Sequence, residues 1–213
     1  ISGSVTLENA NFYSSGGGGT YPWSIAADAT VIINKNVLFN SYGAGRNELN
    51  AGTITVYGSV TNLNGNTGAT GKIIFAGSND QTLYGVSGDC HLPNIEINKT
   101  GGTLFLAGTL QTARNWTHIA GDVCPGTSLV TFRPHGNYNS GISSTSGRAT
   151  FYNLTFAQTC GGGNTYYYYL KDDITLVVSN QLSFGVQNQN GGQARGGVIE
   201  ALGDIFIHAD YRL

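Results

Sequence analysis

Shifted by 145 positions, the sequence matches itself without a gap over more than 40 residues. Gly16-Gly17-Gly18-Gly19-Thr20-Tyr21 falls on Gly161-Gly162-Gly163-Asn164-Thr165-Tyr166, and Val31-Ile32-Ile33 on Leu176-Val177-Val178. Asp28 falls on Asp173, Thr30 on Thr175, Phe39 on Phe184, Ile54 on Ile199 and Gly58 on Gly203. Internal similarity of this length is unnecessary in one closed core and is the mark of stacked repeating units.

The repeated material is β-type. Thr53-Ile54-Thr55-Val56-Tyr57, Lys72-Ile73-Ile74-Phe75, Leu129-Val130-Thr131-Phe132 and Ile205-Phe206-Ile207 are short, β-branched or aromatic, and stopped by Gly, Asn or Ser. Ile54 and Val56 alternate with Thr53, Thr55 and Tyr57, so the first pair is expected inside and the others outside. No window carries sustained helical spacing. Glycine numbers 32 and charged residues make up 10%, against a usual figure of about 25%, which excludes a mainly helical chain. With 40% hydrophobic and 11% aromatic residues the chain has the means to bury a core, which excludes disorder. A net charge of −2 with no basic cluster argues against nucleic acid as a partner. No apolar run is long enough for a membrane-spanning helix.

A shorter motif, apolar-x-Asn-apolar-x-apolar, occurs around Asn9, Asn94 and Asn153. It divides residues 1–213, a single elongated domain, into degenerate units of about 1–85, 86–143 and 144–213. The expected fold is an all-β parallel β-helix, or β-solenoid, with an antiparallel sandwich or jelly roll as the alternative. The three Asn are expected at turns, laddering from coil to coil, because Asn tolerates turn backbone and bonds main chain.

Phe151-Tyr152-Asn153-Leu154-Thr155-Phe156, Gly102-Thr103-Leu104-Phe105-Leu106-Ala107-Gly108-Thr109-Leu110, Leu129-Val130-Thr131-Phe132 and Gly77-Ser78-Asn79-Asp80-Gln81-Thr82-Leu83-Tyr84-Gly85 resemble tandem β-solenoid repeats of large bacterial surface and secreted proteins. The resemblance covers most of residues 71–160. Asn50-Ala51-Gly52-Thr53-Ile54-Thr55-Val56-Tyr57-Gly58 is similar to repeats of filamentous-haemagglutinin-type adhesins. These resemblances imply an extracellular scaffold, stalk or adhesin with no catalytic residues. The Gly-rich stretches 16–19 and 161–163 and the tyrosine run depart from that pattern.

The residues offer little chemistry. Asp172-Asp173 and Asp28 precede β runs and read as turn residues. His91, His118, His135 and His208 form no metal-ligand spacing, and no GxSxG elbow occurs. The chain is therefore expected to be neither an enzyme nor a carrier of metal or cofactor. Cys90, Cys124 and Cys160, an odd number, read either as three unpaired thiols or as one internal disulfide with one cysteine free for an intermolecular bond. In the run Tyr166-Tyr167-Tyr168-Tyr169, Tyr167 and Tyr169 are expected inward and Tyr166 and Tyr168 outward. Tyr166, Tyr168, Tyr21 and Trp23 are candidates to stack on a partner subunit or on surface glycans. A stacked array exposes unpaired strands at its termini, and neither end carries a helical or charged cap. The expected role is a structural subunit of an extracellular filament or cell-surface fibre, with copies of itself as partner. The alternatives are a carbohydrate-binding adhesin module and a β-helix polysaccharide-active enzyme.

Overall fold

The computed structural model describes residues 3–15, 20–23, 25–42, 46–49, 51–63, 70–133, 139–157, 166–171, 173–185 and 192–207. Every regular element among them is a strand, and their pairings are parallel. The chain is a β-solenoid, as its repeats predict, and not a sandwich or jelly roll.

Three stacks of strands run the length of the molecule. The first face comprises Ser4–Leu7, Thr30–Ile33, Thr53–Val56, Lys72–Gly77, the first parts of Asn94–Thr112 and Trp116–Cys124, then Ser140–Ser144, Tyr166–Leu170 and Gly192–Arg195. The second begins with Ala10–Ser15, Val37–Tyr42, Val60–Asn62 and 81–86, and ends with 148–151, 175–178 and Val198–Ala201. The third carries 109–112, Leu129–Phe132, 153–156, 181–184 and Asp204–Ile207. Thr20–Trp23 pairs with Arg46–Leu49 on the third side of the opening coils.

A coil is shorter than the sequence units. Partners lie from 19 positions apart (Thr53 over Lys72) to 28 apart (Ser140 over Tyr168). The unit 1–85 therefore spans several coils. The 145-residue echo also does not equate like faces. Thr30–Ile33 lies on the first face, whereas its echo 175–178 lies on the second. Phe39 is on the second face and Phe184 on the third. What repeats is a strand–turn–strand spacing, which fits any of the three sides.

The core fills the interior of the coils. On the first face Val31, Ile54, Ile73, Ile95, Trp116, Ile142 and Leu170 follow one another in register, all buried. Ile54 and Val56 are inside and Tyr57 is exposed, as their alternation predicts. On the third face Phe132, Phe156 and Phe184 form a column with ring centroids 5.8 and 5.4 Å apart. Phe12 and Phe39 stack at 5.1 Å on the second. Glycines occupy corners where neighbouring coils touch. At Gly102 φ is +61°, and an added Cβ would stand 2.6 Å from the Ser78 carbonyl oxygen.

Candidate functional site

Gly192–Arg195, Val198–Ala201 and Asp204–Ile207 form the last coil among the described residues, and there the packing logic changes. The column Leu110, Val130, Leu154, Leu182 is buried throughout, and its next member, Ile205, is 54% exposed. The phenylalanine column likewise leads to Ile207, which is 51% exposed. Both side chains take the inward parity of their strand and meet no further coil among the described residues. Val198, Leu202 and Phe206 are exposed beside them. At the opposite end Leu7 is the register partner of fully buried Ile33 and is itself 39% exposed. Each end thus presents apolar side chains together with a strand edge whose outward N–H and C=O groups point along the axis.

The tyrosine run lies on the first face, and its parity is the reverse of the expected one. Tyr168, not Tyr167, faces inward: it stacks between Ser140 and Ala194, is buried, and donates its hydroxyl proton to the Ala157 carbonyl. Leu170 continues the core column of Ile142, and counting back from it by two puts Tyr168 inside. Tyr168 is therefore withdrawn from the candidates for stacking on a partner. Tyr167 and Tyr169 are the outward pair, half-buried, with centroids 6.0 Å apart and the Arg195 guanidinium 4.1 Å above the Tyr167 ring. Tyr166, Tyr21 and Trp23 lie in strands, but their side chains are outside the described residues.

The three motif asparagines mark three different corners. Asn9 stands between the first and second faces, Asn94 between the third and first, and Asn153 between the second and third. Asn36 N–H donates to Asn9 Oδ1 (3.1 Å) and Ser59 N–H to Asn36 Oδ1 (2.9 Å), a ladder along one edge. Asn94 donates to the carbonyls of Thr70 and Gly71, and its Oδ1 accepts from Asn115 N–H at 3.3 Å. Asn180 Nδ2 donates to Asn153 Oδ1 at 2.7 Å.

Cys124 is free and half-buried, adjacent in register to exposed Phe105. The Cys90 side chain and Cys160 lie outside the described residues. Asp28 is an exposed turn residue, Asp173 is exposed with φ +53°, and Asp172 is outside the described set. Among the described residues no group of three or more His, Cys, Asp or Glu stands ready to hold a metal ion. No helix of the described residues is long and apolar enough to cross a membrane.

Sequence reasoning missed Lys99. Its side chain is buried at a corner, where Nζ donates to the Asn79 carbonyl (2.7 Å) and Gln81 Oε1 (2.5 Å). Gln81 in turn donates to the carbonyls of Val56 and Gly58, so one chain of bonds ties successive coils. Burial pulls the Lys99 pKa below the ordinary lysine value, against an opposing pull from the Asp80 charge.

No family model, no curated protein and no solved structure matches this chain.

Proposed function

We propose that the chain is a structural subunit that associates with copies of itself through its end coils, building an extracellular filament or cell-surface fibre. One observation carries the reading: two core columns, buried over successive coils, run out into exposed Ile205 and Ile207. Covering the exposed half of each isoleucine contributes about 1 kcal/mol to an association. The strand edge beside them supplies main-chain hydrogen bonds. The low charge and the Gly, Asn and Thr content suit an extracellular setting.

Sedimentation velocity and electron microscopy of the 213-residue chain test the proposal. Concentration-dependent association into elongated particles is expected. Dispersed monomers at high concentration overturn it.

A further inference from the structure

The two end coils are complementary in size on the first face and at the start of the second. On the first face of the last coil the inward position is Ala194, above Tyr168, followed by Gly196 beside the Leu170 backbone. That face lacks bulk. The first face of the opening coil offers Val5 and Leu7. On the second face the last coil presents Ile199 and the opening coil presents Ala10, each partly buried against the core; Phe12, next inward on the same strand, is already buried against Phe39. A single ungapped offset brings three pairs together: Val5 on Ala194, Leu7 on Gly196 and Ala10 on Ile199. Large meets small at every position, as facing core layers require. Val5, Ala10, Ala194, Ile199 and Ala201 already pack against the core from the inside, so their orientation is set.

We infer that the partner of the last coil is the first coil of a second copy, with first face on first face and second on second. This polarity rests on the self-association reading above and specifies it. Tail-to-tail contact reverses the sense of winding of one copy and sets its strands antiparallel to the last coil, out of the parallel register that joins the coils of this chain. Head-to-tail contact is heterologous: each added copy presents a fresh last coil, so growth does not close.

Complementation tests the polarity. Leu7→Asp blocks the head and Ile205→Asp blocks the tail; both sites are exposed, and circular dichroism reports whether the β-fold persists. Each variant alone is expected to sediment as a monomer. Mixed 1:1, the intact tail of the first meets the intact head of the second, and a dimer that grows no further is expected. Thr6→Asp, on the outward side of the same strand as Leu7, is expected to leave wild-type assembly in place. If either Asp variant loses its β signal, Leu7→Thr and Ile205→Thr carry the same test. Wild-type assembly together with a Leu7→Asp variant that still dimerises alone overturns the polarity and leaves self-association standing. A monomeric wild type overturns both.

Discussion

Lys99 is the residue whose behaviour follows most directly from its surroundings. The ammonium satisfies two acceptors in a site that disfavours charge. Its folded pKa lies below its unfolded value, so at pH below the folded pKa the native state bears the cost of the buried charge. As pH rises through the folded pKa toward the ordinary lysine value, the native amine releases its proton first and that cost disappears. The stability difference between wild type and Lys99→Met is expected to shift in favour of wild type as pH rises toward the ordinary lysine value, measured by urea unfolding. A difference that does not change with pH refutes this account. Composition gives no hint of such a lysine. Lys99 follows Ile95 and Ile97 at the same inward parity, and that alternation is the one signal that marks it.

At the scale of the element, each strand is positioned by its neighbours above and below. Tyr168 shows how strongly. Its ring lies 4.8 Å from Phe156, and its hydroxyl is held by the Ala157 carbonyl, so one side chain joins the first face to the third. Tyr168→Ala is expected to cost about 3–5 kcal/mol, read as a fall in the urea midpoint. Tyr168→Phe, which loses only the hydrogen bond, is expected to cost about 1 kcal/mol. Strand existence was legible in the sequence from β-branched runs between glycines, and alternation placed Ile54 and Val56 correctly. The parity of the tyrosine run was not legible from the run itself, because four identical residues carry no alternation. It is decided by Leu170, one position beyond. The Asn motif was legible as a turn signal but not as a coil marker, since each copy sits at a different edge.

In the whole molecule, contacts run almost entirely between adjacent coils, so stability is close to a sum of coil and interface terms. Among the described residues the middle coils have neighbours on both sides, and the coil 192–207 has one. Amide hydrogen exchange is therefore expected to be slowest across 72–132 and fastest across 192–207 in the monomer, with protection of the latter rising on assembly. Uniform exchange along the chain contradicts this additive picture. The repeats made a solenoid legible, but coil length was hidden because sequence similarity follows strand–turn spacing rather than winding.

The echo that advances by one face has a bearing on how such a molecule displays its surface. A segment copied along this chain reappears rotated about the long axis, not in line with its original. Duplication here carries one set of inward side chains and turns around the circumference, while the outward residues diverge: Thr53 answers to Val198, Thr55 to Glu200 and Tyr57 to Leu202.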